Sequence, residues 1–156
     1  MIKLTRIDDR LVHGQVAFTW VSSLGIDCMV VANDKVAKDD FQKMAMGLAK
    51  PPSAKLFILT LAEAIIFLND IKIRNAKILL LVNSVIDAFT ICCAVPEIQS
   101  VNFGGIRTKE GARLISKAVA VSQDDITVIK QMLDKGLELE IRQVPTDKKQ
   151  MVSSLI

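Results

Sequence analysis

The sequence predicts an α/β domain of three layers, in which helices cover both faces of a mostly parallel sheet of about six to seven strands. Short apolar runs alternate with helix-like segments at a spacing of roughly 20 to 25 residues along the chain. Turn residues or helix caps separate the two kinds of segment at most junctions. A length of 156 residues suits one domain with a substantial core, so we expect a single domain over residues 1–156.

Six segments have the pattern of strands. The segment 76–82 is the most apolar and is typical of a strand buried on both faces, whereas 2–7 alternates apolar and polar residues. A brief alternation over 117–121 indicates a short extra strand. The six predicted strands cover residues 2–7, 28–32, 55–59, 76–82, 98–103 and 137–144.

Five helices are expected between these strands. The first contains Phe18 and Trp20, both interpreted as core residues, and ends at Gly25. Residues 60–63 form a capping-box pattern, Ser84 is a candidate N-cap, and Ser122 precedes early acids that favour a helix start. The predicted helices cover about 14–24, 38–48, 61–68, 85–92 and 123–135, and the tail 147–156 is predicted to form a short terminal helix.

Composition excludes several classes of protein. The net charge of +3 comes from scattered basic residues, and the aromatic content is 4%, which does not favour nucleic-acid binding. No apolar run reaches the length of a membrane helix, and the N-terminus lacks a signal peptide, so a cytoplasmic location is expected. Three cysteines and one histidine have no metal-ligand spacing, which predicts buried thiols and neither a zinc site nor a disulfide framework.

The segment 7–16 carries most of the functional argument because it contains His13, the only histidine. His13 precedes a predicted helix N-terminus, where free N–H groups favour an anion, and Gly14 permits close approach. Arg10 offers a planar fork for phosphate oxygens. Asp8 or Asp9 is placed to hold Arg10 or to accept a proton from the second imidazole nitrogen.

Each of these residues also has a simpler interpretation. His13 fits an ordinary polar loop residue, and Arg10 fits a surface ion pair with Asp9. Gly104 and Gly105 fit a turn after the fifth strand. Three basic residues in the loop after them fit either a solvated surface or a rim for an acidic ligand or partner: Arg107, Lys109 and Arg113.

Common nucleotide and phosphate signatures are absent. The chain has no G-x-G-x-x-G motif after a strand and no P-loop motif. A receiver domain needs an acceptor aspartate after its third strand, where Leu59 and Thr60 stand instead. Phosphate on or near His13 is physically reasonable, and two alternatives stay open: a flavodoxin-like module that binds an anion or nucleotide without covalent chemistry, and a structural domain that binds a partner.

The segment RIDDRLVHGQV at residues 6–16 resembles the active-site segment of the B components (EIIB) of the mannose/fructose/sorbose family of the bacterial phosphotransferase sugar-uptake system (PTS). The similarity continues over essentially the whole chain. It includes VAND at 31–34, VNFGGI at 101–106, KAVAVSQDDI at 117–126 and VPTD at 144–147.

This resemblance implies that His13 is phosphorylated by the phosphohistidine of an A component and passes the phosphoryl group to a sugar carried by the C and D membrane components. The motif arginine of that family corresponds to Arg10. From the residues themselves, we expect Arg10 and the backbone N–H groups near Gly14 and Gln15 to bind the phosphoryl oxygens, and Gly104, Gly105 and Arg107 are candidates for a partner rim. No metal or organic cofactor is needed for such a transfer, because positioning and charge stabilisation supply the catalysis. The protein would act in the cytoplasm at the membrane permease. The sugar, the phosphorylated nitrogen and the oligomeric state stay open.

Overall fold

The computed structural model describes all residues 1–156, and it confirms the predicted fold class. Seven strands form one sheet, and a separate two-stranded hairpin follows the fifth strand. The nine strands are β1 Ile2–Asp8, β2 Cys28–Ala32, β3 Lys55–Leu59, β4 Ile78–Val82, β5 Ser100–Gly105, β6 Ala112–Leu114, β7 Ala120–Ser122, β8 Glu138–Ile141 and β9 Gln150–Met151. The order in the sheet is β3-β2-β4-β1-β5-β8-β9, in which only β9 runs antiparallel to its neighbour.

Five helices cover the two faces of the sheet. They are α1 Gly14–Leu24, α2 Asp40–Ala49, α3 Leu61–Asn69, α4 Val85–Ala94 and α5 Gln123–Asp134. One apolar cluster joins α1 and α2 to the first face, and a second cluster joins α3, α4 and α5 to the opposite face. No helix combines the length and the apolar character needed to cross a membrane.

The inner strands follow from their composition. Every residue of β2 and β4 is buried, as expected for apolar strands that have helices on both sides. The strand β1 lies between β4 and β5, in the middle of the sheet. Two capping boxes begin α3 and α5, and the Ser84 hydroxyl accepts a hydrogen bond from the backbone N–H of Asp87 at the start of α4, so these predicted helix starts are confirmed.

Several predicted elements differ from the structure. The tail is not a helix, because β9 pairs with β8 and only a single 3-10 turn, Val152–Ser154, follows. The strand predicted over 137–144 ends at Ile141, because the chain then turns to position Arg142 and Pro145. The pattern at 117–121 belongs to β7, which pairs with β6, a strand missed in the loop after β5. Phe18 is about half exposed, so its assignment to the core was wrong, while Trp20 is buried as predicted.

The topology creates a crevice at the carboxyl ends of β1 and β5. After β1 the chain enters α1 on the first face, whereas after β5 it enters the hairpin and then α5 on the opposite face. The two loops therefore leave neighbouring parallel strands in opposite directions, and ligands bind in such crevices in open α/β sheets. The segment with His13 lies at this crevice.

Candidate functional site

A tight turn joins β1 to α1 and places His13. The Leu11 N–H donates to the Asp8 carbonyl at 2.9 Å, and the Arg10 N–H donates to Asp8 Oδ1 at 3.0 Å. Leu11 adopts a φ of 57°, a left-handed conformation that is unusual for a residue with a branched side chain. Its buried side chain belongs to the core beneath α1, so packing holds the turn in this conformation.

His13 is the N-cap residue of α1, in an extended conformation with φ −150° and ψ 138°. No side chain caps this helix start, and Ala17 is the first residue whose N–H reaches the His13 carbonyl. The N–H groups of Gly14, Gln15 and Val16 therefore lack helical acceptors. Free N–H groups at a helix start favour an anion, and these three lie next to the imidazole.

The imidazole of His13 is oriented by Asp8. Nε2 lies 2.8 Å from Asp8 Oδ2, and the Asp8 side chain is only 2% exposed, against 19% for His13. A carboxylate accepts hydrogen bonds, so Nε2 carries the hydrogen in this pair. Nδ1 has no hydrogen-bond partner and is not among the buried unpartnered atoms, so it reaches solvent. The lone pair of the neutral imidazole is therefore on the accessible nitrogen.

A buried arginine, Arg6, also binds the Asp8 carboxylate. Arg6 Nη2 lies 3.2 Å from Asp8 Oδ2, and both side chains are 2% exposed. Arg6 Nη1 donates to Asn102 Oδ1 at 2.7 Å and to the Arg142 carbonyl at 3.0 Å. Burial lowers the pKa of the Arg6 guanidinium, although Asp8 and Glu140 act in the opposite direction. An arginine nevertheless stays charged, so the pair is an ion pair.

A second ion pair lies behind the first. Glu140 accepts two hydrogen bonds from the Arg142 guanidinium, both at 3.0 Å, and Asn102 Nδ2 donates to Glu140 at 3.0 Å. The Trp20 ring contacts both guanidiniums, with Cζ of Arg6 at 5.6 Å and Cζ of Arg142 at 5.1 Å from its centroid. The Trp20 indole N–H donates to the Gln143 carbonyl. These contacts join α1, β1, β5 and β8.

Asp9 connects the two loops of the crevice. Its Oδ2 accepts hydrogen bonds from the backbone N–H of Arg107 at 2.8 Å and from Arg107 Nε at 3.0 Å. Its own N–H donates to the Gly105 carbonyl at 2.9 Å. Asp9 therefore fixes the loop after β5 against the loop after β1.

The crevice has a volume of about 560 Å³ and is basic. The two carboxylates in its wall, Asp8 and Asp9, are both already paired. The Arg10 side chain forms no hydrogen bond or ion pair within the chain. His13 lies beside the crevice and not in its wall. Four cationic side chains contribute to the wall: Arg6, Arg10, Arg107 and Lys117.

The structure brings together most of the residues that the sequence singled out. Asp8 contacts His13, while Asp9 pairs with Arg107 and leaves Arg10 unpaired. Gly104, Gly105 and Arg107 line the crevice, whereas Lys109 and Arg113 do not. The sequence analysis missed a buried set of polar residues around Asp8: Arg6, Asn102, Glu140 and Arg142. The available signal was Arg6 itself, since it shares a face of β1 with Leu4 and Asp8.

The chain matches the family model of the PTS system sorbose subfamily IIB component over residues 2–156. The chain belongs to this family. Its members are components of a sugar phosphotransferase system, in agreement with the resemblance of residues 6–16.

Individual relatives show the same similarity. The sorbose-specific EIIB component of Lacticaseibacillus casei is 33% identical over 147 residues, which is 94% of this chain and 90% of that protein. The mannose-specific EIIAB component of Escherichia coli K12 is 34% identical over 156 residues, and the chain spans 48% of its length. The crystal structure of the IIBSor domain of the sorbose permease from Klebsiella pneumoniae superimposes with a TM-score of 0.94 at 27% identity, covering 99% of this chain and 94% of that one.

Proposed function

We propose that this chain is the B component of a sugar phosphotransferase system and that Nδ1 of His13 is the atom that carries the phosphoryl group. The observation that supports this most directly is the 2.8 Å contact between Nε2 of His13 and Asp8. This hydrogen bond joins Nε2 to a buried carboxylate and leaves Nδ1 as an accessible nucleophile.

In the first step, the Nδ1 lone pair attacks the phosphorus of a donor phosphohistidine on an A component. A P–N bond forms to His13 while the P–N bond to the donor breaks, and the electron pair of that bond returns to the donor imidazole. The His13 ring keeps its Nε2 hydrogen and becomes positively charged in the product. Asp8 stabilises that charge, and this stabilisation favours transfer toward His13.

The phosphoryl oxygens need donors that point at the site. The N–H groups of Gly14, Gln15 and Val16 provide them at the start of α1. The unpaired Arg10 guanidinium adds a charged fork, because it extends from the loop between β1 and α1. Positioning and charge stabilisation are the main requirements of phosphoryl transfer, and these groups supply both.

In the second step, a sugar hydroxyl attacks the phosphorus of phospho-His13. The new P–O bond replaces the P–Nδ1 bond, whose electron pair returns to Nδ1, and the hydroxyl proton is released. The sugar would be held by C and D membrane components, so the protein would act in the cytoplasm at the permease. The basic crevice, with Gly104, Gly105 and Arg107 at its rim, would contact the partners. We propose that residues 1–156 act as one domain.

The crevice also favours a second candidate function. Its four cationic side chains and its volume of about 560 Å³ suit a small anion that binds without covalent chemistry. That function makes no use of the hydrogen bond between Asp8 and His13, which is why we favour phosphoryl transfer.

Phosphorylation with phosphoenolpyruvate, the general PTS proteins and A components separates the two functions. We expect a mass gain of one phosphoryl group that is labile to acid and stable to alkali in the wild type and absent in His13→Ala. Heteronuclear NMR of the labelled protein should place phosphorus on Nδ1. Label that persists in His13→Ala would overturn the proposal, and phosphorus on Nε2 would overturn the choice of nitrogen.

A further inference from the structure

We propose that Arg6 is a positioning residue for phosphoryl transfer. By sharing the carboxylate of Asp8, it holds the His13 imidazole in its orientation and favours the neutral, nucleophilic form of the ring. The role in phosphoryl transfer rests on the proposed function. The effect of Arg6 on the protonation of His13 does not rest on it, and it can be measured without any phosphoryl donor.

The first line of support is the geometry at Asp8. The same oxygen, Oδ2, lies 3.2 Å from Arg6 Nη2 and 2.8 Å from His13 Nε2, while Oδ1 accepts the Arg10 N–H. The Asp8 carboxylate thus binds both the permanently charged Arg6 guanidinium and the titratable His13 ring. Arg6 is held in turn by Asn102 and by the Arg142 carbonyl, so neither it nor Asp8 has freedom to move away.

The second line of support is the contact between Arg6 and α1. The Arg6 guanidinium lies over the ring of Trp20, which is buried at 1% exposure in the helix that His13 caps. Arg6 therefore contacts both the carboxylate that binds His13 and the helix that begins at His13. A cation over an indole face is stabilising, particularly where both groups are desolvated.

The neighbouring backbone is shaped for this guanidinium. A Cβ added to Gly104 would lie 2.0 Å from Arg6 Cζ and within 2.4 Å of both terminal nitrogens. Only a residue without a side chain leaves room for the guanidinium against β5. A buried ion pair is a weak contributor to stability compared with an apolar replacement, so its presence beside the reacting group indicates a functional role.

The expected effect follows from the charges around His13. If Arg6 is removed, the full charge of Asp8 acts on the imidazole and favours the imidazolium form, which has no lone pair on Nδ1. The other charges near this point come from the β1–α1 loop, the end of β5, β8 and the hairpin region. They are Asp9, Arg10, Arg107, Glu140, Arg142 and Lys117, of which Asp9 is paired with Arg107 and Glu140 with Arg142.

The test is the pH profile of phosphoryl acceptance by Arg6→Met, a variant that keeps most of the side-chain volume. We expect the pH of half-maximal acceptance to rise by about one pH unit, with much of the rate recovered at alkaline pH. Arg6→Lys keeps the positive charge, so its pH of half-maximal acceptance should lie between those of the wild type and Arg6→Met. Lys130→Met, which removes an exposed charge on α5, is the matched control and should keep the wild-type profile.

A double-variant cycle tests whether Arg6 acts through Asp8. In an Asp8→Asn background, Arg6→Met should move the profile by less than half as much as in the wild type. An equal shift in both backgrounds, or no shift in Arg6→Met, would overturn the proposal.

Nitrogen NMR separates a failure of this proposal from a failure of the proposed function. His13 is the only histidine, so its two ring nitrogens give one assignable pair of signals. At each pH, folded Arg6→Met should show a larger imidazolium share than the wild type, with or without phosphorylation activity. If Arg6→Met does not fold, Asn102→Ala, which loosens Arg6 and keeps both charges, should give a smaller shift in the same direction; an unshifted Asn102→Ala profile would then count against the proposal.

Discussion

His13 Nε2 and Asp8 Oδ2 lie 2.8 Å apart at the carboxyl end of the central strand β1, and this hydrogen bond distinguishes the two imidazole nitrogens. The nitrogen next to the buried carboxylate carries a hydrogen, and the other faces solvent. A neutral imidazole has one lone pair in the ring plane, so the position of the hydrogen determines which atom is the nucleophile.

Replacement Asp8→Asn should slow phosphoryl acceptance by about two orders of magnitude at neutral pH, because the product imidazolium loses its charge partner. It should also lower the free energy of unfolding by about 3 kcal/mol, since Arg6 is left buried without a carboxylate. Rapid-quench labelling and urea denaturation measure the two effects. Asp147→Asn, which alters an exposed carboxylate near β8, is the control for charge alone. An unchanged rate in Asp8→Asn would exclude an orienting role for Asp8.

Replacement Arg10→Ala should slow phosphoryl transfer by about tenfold and leave the fold intact. The guanidinium is exposed and unpaired within the chain, so its loss should change the free energy of unfolding by no more than about 0.5 kcal/mol. Arg113→Ala is the matched control, because Arg113 is also exposed but lies outside the crevice. Equal rates for the two variants would remove Arg10 from the mechanism.

Replacement Gly104→Ala should destabilise the protein by about 3 kcal/mol, because the new methyl group overlaps the Arg6 guanidinium and has no space to relax in the core. Thermal unfolding measures the effect. Gly47→Ala provides the contrast: its added Cβ meets nothing within 4 Å, and α2 gains a better helix former, so a stabilisation of about 0.5 kcal/mol is expected. A fully stable Gly104→Ala variant would show that Arg6 can leave its position.

The three cysteines should react with iodoacetamide at very different rates. Burial raises the pKa of Cys28 to about 11 and that of Cys92 to about 12, whereas Cys93 is exposed. Native protein at pH 8 should therefore take up one label, at Cys93, and further labels only after unfolding. Peptide mapping after a timed reaction gives the positions. Rapid labelling of Cys28 in the native protein would contradict its buried environment.

The same two thiols imply a pH dependence of stability. Their folded pKa values lie above the unfolded value of 9.0, so the folded state retains these protons more strongly than the unfolded state does. This contribution is complete below pH 9 and is lost as the pH rises toward 11 and 12. Urea denaturation between pH 8 and pH 11 should show a decline that is shallower in a Cys28→Ala, Cys92→Ala variant. If the free energy of unfolding declined with pH equally steeply in the wild type and in the double variant, groups other than these thiols would cause the decline.

Much of the fold could be predicted because its signals are local. The strands β2 and β4 are apolar at every position, and only a sheet covered on both faces buries such a segment completely. The starts of α3 and α5 are encoded by caps whose partners lie three residues away. The strands β6 and β9 are too short to have a reliable pattern, and each exists because a partner strand lies next to it.

The sequence by itself determined which segment carries the candidate site, because the lone histidine, Arg10 and Gly14 stand together at a predicted helix start within residues 7–16. Only the tertiary structure decided how His13 is held. Arg6 reaches Asn102, 96 residues away, and the Arg142 carbonyl, 136 residues away, and the pairing of β1 with β5 and of β5 with β8 brings them together. No local pattern encodes such contacts, so the buried ion pair between Arg6 and Asp8 is supported only when the parallel strands lie side by side.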